Sequence, residues 1–390
     1  MDAIKRRRQA LLDKTESTSY SKQKSSLEKE LSRFLVQTAP DRDITMATPD
    51  DVVNFLIWKD RTGKTVVHEE DCVYIGKRSK GGCSCPKRLA FGTVDSLIGK
   101  LRSIFAEWGR TLDDSAFPGY GNPAASRKVK SYLTAMREEQ LLAGVVPAQA
   151  EPLFITDLAA ITQEILRRLK DPKSSPIQIY LYARDQAFFK TQFFAGDRAG
   201  DLSRTKTKEL LYFPGKEGIL FNHSLTKSLR DGTANVFALK RYKDPALCPI
   251  TAIETYIKLC DLLNVPVRDG LLFRATNRTG DITDKLFDSV AAQARFSTYV
   301  QQLPGIFGDR RVTLHGMRSG CAISLALSGV PLESIMAHVG WKTAATAKHY
   351  IKLNQVMAPG GVSDILACLA FDLSEVYQRQ NSLTHFTQAF

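Results

Sequence analysis

Four residues in the last quarter of the chain have the types and spacing needed to bind and attack a phosphate diester. His315 and Arg318 lie three positions apart in a helical pattern, so they project from one face of a helix. Trp341 and Tyr350 follow, nine residues apart. Arginine presents a planar fork of donors that matches phosphate oxygens, and tyrosine can attack phosphorus when transition-state charge is offset. Taken singly, such residues are more often a core histidine, a surface arginine and a packed tyrosine.

Two upstream segments supply partners for the same chemistry. Arg198 and Asp201 follow an apolar helical segment, and Lys227 lies between two strand-like runs that predict a hairpin over residues 219–241. With these residues the chain resembles the tyrosine recombinase (phage integrase-like) family, in the order Arg, hairpin Lys, His-x-x-Arg, His or Trp, Tyr. Trp341 stands where most relatives have His, which makes the active site Cre-like, as does DLSRTK at residues 201–206. The resemblance covers about residues 150–355.

The resemblance implies a role for each of these residues. Arg198 and Arg318 would hold the non-bridging oxygens of the scissile phosphate, and Tyr350 would attack it to form a 3′-phosphotyrosyl bond. Lys227 would protonate the departing 5′-oxygen, and His315 would act in proton transfer. This chemistry needs neither a nucleotide nor a catalytic metal, and no three-carboxylate or EF-hand spacing in the sequence points to one.

The other polar residues of this region have supporting roles under the same resemblance. Trp341 would donate its indole N–H to a phosphate oxygen. Asp201 would not touch the phosphate but would support the segment that carries Arg198. His338 and His349 match no family position, and we interpret both as structural or DNA-facing.

Four potential metal ligands lie within eighteen residues of the N-terminal part of the chain. They are His68, Cys72, Cys83 and Cys85, spaced H-x3-C-x10-C-x-C. Two pairs of ligands around a Gly- and Lys-rich loop predict a tetrahedral structural Zn²⁺, because the segment has too few apolar residues to fold unaided. The C-x-C pair is tighter than the usual C-x-x-C, so reduced loop cysteines beside an exposed histidine are the alternative.

The sequence around these ligands resembles the ALOG domain, a DNA-binding module with a zinc-ribbon insert. The similarity is carried by residues 55–110 and 122–145 and spans about residues 17–147. It implies that the four ligands hold a zinc ribbon between two helices of a four-helix DNA-binding domain, as in recombinases of DIRS-type and Crypton-type mobile elements. Basic residues of the insert would then contact the DNA backbone: Lys77, Arg78, Lys80, Lys87 and Arg88.

Hydrophobic periodicity and turn residues divide the chain into four parts. They are a basic arm (1–16), a helical DNA-binding domain (17–147) with the ribbon at 62–91, a catalytic domain (150–356), and a C-terminal helix and tail (357–390). In the DNA-binding domain, helices are predicted over 20–38, from Pro49, from an N-cap at Thr93 to Trp108, and over 124–143.

The catalytic domain is predicted to be mostly helical with a small antiparallel sheet, so the fold class is mainly α or α+β. Helices are expected over 155–170, 175–196, 248–263, 283–302 and through the motif region. Strands are expected at 209–213, 218–222 and 234–239, and a short buried one within 270–276.

Composition favours a polyanionic partner. The net charge is +13 and the pI is about 9.3, which suits double-stranded DNA. No apolar run is long enough to span a membrane, and no signal peptide opens the chain.

Seven cysteines without a secretory signal argue against a disulfide framework. Four of them are expected in the core: Cys248, Cys260, Cys321 and Cys368. The basic run at residues 5–8 fits a nuclear-localisation patch, in a eukaryotic host, or a DNA-contacting arm.

The C-terminal segment carries a helical apolar stripe over residues 362–378. It would either close its own domain or dock on a neighbouring subunit, as in a recombinase tetramer. The function predicted is a site-specific DNA recombinase or integrase of a eukaryotic mobile element, or of a host gene derived from one. A type IB topoisomerase-like enzyme, a telomere resolvase and a non-cleaving DNA-binding regulator are the alternatives.

Overall fold

The computed structural model describes residues 4–7, 19–75, 82–111, 120–145, 150–223, 235–345 and 347. The chain divides into two compact units, Met1–Ala148 and Gln149–Phe390.

Within the described residues of the first unit, four helices form a bundle. They are α1 (Ser19–Thr38), α2 (Pro49–Asp60), α3 (Phe91–Glu107) and α4 (Arg127–Leu142). Helix α2 begins where the sequence predicts, because Thr48 and Asp51 form a capping box and Pro49 occupies the first turn. The apolar faces of the four helices enclose one core, which includes Leu31, Val52, Phe55, Ile98, Phe105 and Val129.

A small insert separates α2 from α3. Its stem is an antiparallel pair of strands, β1 (Thr65–Val66) and β2 (Lys87–Arg88). Asp60, the last residue of α2, accepts from the Leu89 backbone N–H at 2.6 Å and pairs with Arg88 at 3.4 Å. The end of α2 thus anchors the base of the insert where the chain returns to the bundle.

The start of α3 differs from the prediction. An N-cap at Thr93 is wrong, because the helix begins two residues earlier at Phe91 and its cap residue, Ala90, has no capping side chain. Gln140 of α4 supplies the missing acceptor: its Oε1 accepts from the Phe91 N–H at 2.9 Å, and its Nε2 donates to the Leu89 carbonyl at 2.7 Å. A distant residue therefore takes the place of a local cap.

The second unit is mostly helical. Its helices are α5 (Ile155–Leu169), α6 (Pro176–Ala195), α7 (Ala199–Leu202), α8 (Pro249–Leu262), α9 (Ser289–Gln301), α10 (Pro304–Phe307), α11 (Leu314–Leu327) and α12 (Leu332–Val339). Helix α6 is the central one, since most of its residues are buried on all sides. Around it packs an aromatic core that includes Tyr180, Phe188, Phe189, Tyr256, Phe273 and Phe296.

Two small antiparallel sheets complete this unit. Strands β3 (Leu210–Tyr212), β4 (Gly218–His223) and β5 (Asn235–Lys240) form the larger sheet, in which His223 is paired with Asn235. Strands β6 (Arg274–Thr276) and β7 (Ile282–Leu286) form the smaller one.

Strand β7 corrects the prediction of a helix over 283–302. Pairing with β6 keeps residues 282–286 extended, and the Phe287 N–H continues the contact by donating to the Phe273 carbonyl at 3.1 Å. The helix starts only at Ser289, where the Asp288 side chain accepts from the Ala291 N–H at 2.8 Å.

Two glycines let the start of the second unit lie against α11. The Leu153 N–H donates to the Gly316 carbonyl at 2.9 Å. A Cβ on Gly320 would lie 1.6 Å from the Leu153 oxygen, and one on Gly316 would lie 2.3 Å from the Glu151 oxygen. Only residues without a side chain permit this approach, so the backbone of residues 151–153 fixes the position of the helix that carries His315 and Arg318.

The predicted fold class is confirmed: the chain is mainly helical with small antiparallel sheets. None of the described helices is both long and apolar enough to cross a bilayer.

Candidate active site and metal centre

Arg198 lies in a tight turn that a glycine makes possible. Helix α6 ends at Gly196, which adopts the left-handed conformation (φ +58°). A Cβ there would lie 3.0 Å from the Val339 side chain and 3.1 Å from the Cys321 sulphur, so the turn also packs closely on α11 and α12. Arg198 follows two residues later as the N-cap of the short α7.

Arg318 is buried at the meeting point of three segments. Its side chain is 1% exposed, and its Nη1 donates to the carbonyls of Gly196 (2.7 Å) and Val339 (2.8 Å). The guanidinium carbon lies 5.2 Å from the centre of the Trp341 ring, a cation–π arrangement. Two carbonyls and an indole therefore hold the plane of the guanidinium in one orientation.

His315 lies one helical turn before Arg318 on α11. The start of α11 is held from outside, because Gln293 accepts from the Leu314 N–H at 2.9 Å and Gln192 donates to the Leu314 carbonyl at 3.0 Å. Loss of surrounding water, and then the charges of Arg318 and Arg198, lower the pKa of the His315 imidazole. The imidazole is therefore neutral at neutral pH and able to accept a proton.

Asp201 is a buried carboxylate that forms ion pairs with two arginines. It is 3% exposed and lies 3.4 Å from Arg198 Nη1 and 3.6 Å from Arg204 Nη1. Each arginine is three residues from Asp201, on either side of it in the segment around the short helix α7. The Asp201 carboxylate therefore restrains the direction of the Arg198 side chain.

The structure brings Arg198, His315, Arg318 and Trp341 together from three separate segments. Lys227 and Tyr350 lie outside the described residues, as does His349. His338 is structural: its Nε2 lies 2.8 Å from the Phe194 carbonyl and its ring packs on Phe237.

A buried polar chain beside Arg198 was not predicted. Asp197 Oδ1 accepts from the Arg198 backbone N–H at 2.8 Å, and Asp197 Oδ2 lies 3.3 Å from His223 Nδ1. The other ring nitrogen, His223 Nε2, lies 2.9 Å from Thr205 Oγ1. These residues have no regular spacing, so no sequence pattern connects them. The position of His223 at the end of a strand, just before a hairpin lysine, is the only signal that the sequence offered.

The metal-ligand residues of the first unit come together within the insert. The ligand atoms of His68, Cys72, Cys83 and Cys85 all lie within 4.8 Å of one another. His68 Nδ1 is 3.3 Å from Cys72 Sγ and 3.5 Å from Cys83 Sγ. A tetrahedral ion with bonds of about 2.0–2.3 Å separates its ligands by roughly 3.5–3.8 Å. The donor set and its spacing therefore fit a tetrahedral metal ion.

The thiols of this cluster also crowd one another. The Glu69 backbone favours the thiolate of Cys85, but burial and the neighbouring Cys72 and Cys83 raise the pKa of Cys85 to about 11. A bound metal ion would offset the repulsion between neighbouring thiolates and so favour their deprotonated forms.

Two of the predicted DNA-contacting residues are described. Lys87 is exposed, whereas Arg88 is paired with Asp60 at the base of the insert. Lys77, Arg78 and Lys80 lie outside the described residues. The described cysteines are free thiols; Cys248, Cys260 and Cys321 are buried, while Cys368 is outside the described part of the chain.

Comparison with known proteins gives two separate results. Residues 8–138 match the ALOG domain, which confirms the resemblance predicted for the N-terminal region. Protein G1-like7 of Oryza sativa subsp. indica is 35% identical over 116 residues, which are 30% of this chain and 51% of that protein. Protein LIGHT-DEPENDENT SHORT HYPOCOTYLS 6 of Arabidopsis thaliana is 35% identical over 116 residues, 30% of this chain and 56% of that protein. The chain thus spans about half the length of these relatives.

Solved structures similar to this chain include site-specific recombinases and integrases. The XerH recombinase bound to its difH substrate aligns with a TM-score of 0.48 and 15% identity, covering 84% of this chain and 75% of that chain. A lambda integrase dimer bound to a COC′ core site aligns with a TM-score of 0.47 and 15% identity, covering 89% and 75%.

Proposed function

We propose that this chain is a tyrosine recombinase that cleaves and rejoins duplex DNA through a 3′-phosphotyrosyl intermediate. The observation that carries the proposal is the meeting of Arg198, His315, Arg318 and Trp341 in one site, with Tyr350 nine residues after Trp341 in the sequence. Two arginines, an imidazole and an indole supply donors and a proton acceptor for a phosphate, which is the set that transesterification by a tyrosine needs.

The proposed reaction exchanges one phosphate ester for another. The Tyr350 oxygen bonds to phosphorus, the bond from phosphorus to the 5′-oxygen breaks, and the strand is released with a 5′-hydroxyl. Rejoining is the reverse attack by a 5′-hydroxyl. Because one ester is made for each one broken, the exchange needs no nucleotide to drive it.

Each residue proposed for the site would act at a defined atom of the DNA or of Tyr350. Arg198 and Arg318 would offset charge on the non-bridging oxygens, and Trp341 would donate to one of them. Neutral His315 would accept the tyrosine proton, because the lowered pKa of its imidazole keeps the ring unprotonated at neutral pH. Lys227 would supply a proton to the departing 5′-oxygen.

The first unit would contribute to duplex binding. The ALOG match over residues 8–138 and the excess of basic residues favour this role. We propose that the cluster of His68, Cys72, Cys83 and Cys85 holds one structural Zn²⁺, which keeps the basic insert rigid. A synaptic tetramer joined through the C-terminal helix is the assembly that this function would need.

Covalent trapping on duplexes of random sequence tests the proposed function. Wild-type protein is mixed with nicked duplexes of random sequence, in which cleavage near the nick releases a short fragment and prevents rejoining. DNA that stays with denatured protein is sequenced to give the preferred site. A shared sequence among adducts supports a recombinase; relaxation of plasmids that lack it favours a topoisomerase, and binding without adducts favours a regulator.

Loss of the metal should weaken DNA binding but spare the chemistry. Purified wild-type protein should carry about one equivalent of zinc, as expected for a single tetrahedral site. Cys83→Ser should release it, while the bundle stays folded on its own core. DNA affinity should fall and depend less on salt, because the basic side chains of the insert are no longer held near phosphates. Metal analysis, circular dichroism and binding at several salt concentrations measure these three effects.

Cys260→Ser is the matched control for this change. It also removes one thiol, but Cys260 is buried in the core of the second unit and is not a member of the cluster. Zinc content and DNA affinity should match those of the wild type. Wild-type protein that is free of metal without chelator treatment, or a Cys83→Ser protein with unchanged DNA binding, would contradict the zinc proposal.

The titration of His315 provides a test that does not depend on cleavage. NMR of the labelled imidazole in DNA-free protein should give a pKa below the ordinary histidine value, because the ring is partly dehydrated and faces Arg318 and Arg198. Arg198→Gln removes one of those charges, so the pKa of His315 should rise towards its ordinary value. Arg241→Gln, at an exposed pair with Glu254, should leave it unchanged. A His315 pKa raised above neutral pH in the wild type would contradict its role as proton acceptor, because the imidazole would then already be protonated.

A further inference from the structure

A single buried histidine joins both ends of the turn that carries Arg198. The turn runs from Asp197 to Thr205, and the His223 ring lies between these two residues. Asp197, Thr205 and His223 are 4%, 1% and 2% exposed. The ring itself is fixed by Phe221 and Phe237, whose ring centres lie 5.7 Å and 5.3 Å away in edge-on arrangements.

The contact between His223 and Asp197 is the one that matters for Arg198. Their atoms Nδ1 and Oδ2 lie 3.3 Å apart, and neither atom has a hydrogen-bond partner among the described residues. A buried carboxylate oxygen and a buried ring nitrogen left without any partner would each be costly. At 3.3 Å the two atoms are within reach of each other, so each can be the partner that the other needs.

The carboxylate passes this restraint to Arg198. Asp197 Oδ1 accepts from the Arg198 backbone N–H at 2.8 Å, while Asp201 holds the guanidinium of the same residue at 3.4 Å. Arg198 is therefore restrained at both its main-chain end and its side-chain end. The main-chain restraint reaches beyond the turn, through Asp197 to His223 on β4.

We propose that His223 is a positioning residue that sets the direction of the Arg198 side chain through Asp197. This inference rests on the proposed function, since it makes His223 a support for Arg198, which would bind the scissile phosphate. His223 touches no reacting atom in this scheme. One ring nitrogen of His223 holds Asp197 and the other holds Thr205, at the two ends of the segment that carries Arg198. Loss of His223 should therefore leave Arg198 in place but change the direction of its side chain.

The test compares two substrates that differ only at the scissile phosphate. One carries an ordinary phosphodiester and the other a methylphosphonate, both in the sequence recovered by covalent trapping. The methyl group replaces a charged oxygen, so a guanidinium that offsets that charge contributes less to the reaction. Arg198→Ala is the reference variant. The factor by which it slows cleavage relative to the wild type should be smaller on the methylphosphonate than on the phosphodiester.

His223→Phe keeps a ring of similar size and removes both nitrogens. We expect cleavage of the phosphodiester to slow by roughly 10- to 100-fold, as for a misplaced catalytic group, with a much smaller deficit on the methylphosphonate. Thr205→Val removes only the second contact of the ring. It should show the same pattern with a smaller deficit, and it decides the test if His223→Phe does not fold by circular dichroism.

Tyr180→Phe is the matched control for loss of a buried polar contact. Its hydroxyl bonds to Tyr256 and the Arg274 carbonyl, away from the Arg198 turn. Any deficit of this variant should be equal on the two substrates. Equal deficits for the His223 and Thr205 variants, or no deficit on the phosphodiester, would overturn the inference while the function stands. Absence of wild-type adducts on the phosphodiester would instead reject the proposed function, and the inference with it.

Discussion

Tyr350→Phe should abolish covalent protein–DNA adducts while leaving DNA affinity nearly unchanged. The substitution removes the attacking oxygen and almost no volume, so packing and the basic surface are preserved. Adducts are measured on the nicked substrate after denaturation, and affinity is measured on the intact duplex. The variant should bind as well as the wild type and yield only background adducts.

The attachment point can be located directly. Trypsin cleaves after Lys348 and Lys352, so the peptide of residues 349–352 contains Tyr350 as its only hydroxyl-bearing side chain. In the wild type this peptide should carry the nucleotide. Tyr212→Phe, at an exposed tyrosine that bonds to Glu254, is the control and should form adducts normally. Adducts that persist in Tyr350→Phe, or a nucleotide on another peptide, would show that Tyr350 is not the nucleophile.

Arg318→Lys should reduce the cleavage rate by roughly 100-fold or more, the loss expected when one preorganised donor to the transition state is removed. Lysine keeps the charge but not the planar fork. It cannot donate to both the Gly196 and Val339 carbonyls while stacking on Trp341, as the guanidinium does. Single-turnover cleavage at saturating protein measures the effect independently of DNA affinity.

The same substitution should also lower stability. Losing a donor to buried carbonyls costs about 1–3 kcal/mol, so the cleavage assay must be run well below the unfolding temperature. Arg184→Lys is the matched control: Arg184 is also a buried arginine of this unit, stacked 3.6 Å from the Phe287 ring centre and bonded to Asp185. It should lose stability but cleave normally when folded. Arg318→Lys activity within a few-fold of wild type would disprove the phosphate-binding role.

Much of the fold follows from local sequence patterns. Helix α2 begins at Pro49 and α6 at Pro176 because proline and a capping side chain define a helix start within three or four residues. The metal ligands are also a local pattern, since short spacings within one loop bring His68 and Cys72 together whatever the rest of the chain does. The resemblance to tyrosine recombinases, carried by the order of the polar residues along the chain, predicts that Arg198, His315 and Arg318 share one site.

Tertiary contacts determine the features of the fold and the site that depend on residues far apart in the sequence. Helix α3 starts at Phe91 because Gln140, 49 residues away, binds its first N–H, and residues 282–286 are extended because β6 pairs with them. His223 and Asp197 are likewise partners only because β4 passes beside the end of α6. Helix propensity, caps and short spacings act between near neighbours, so they can be read from the sequence. A hydrogen bond between distant residues depends on where the packed core brings them, and only the folded chain determines that.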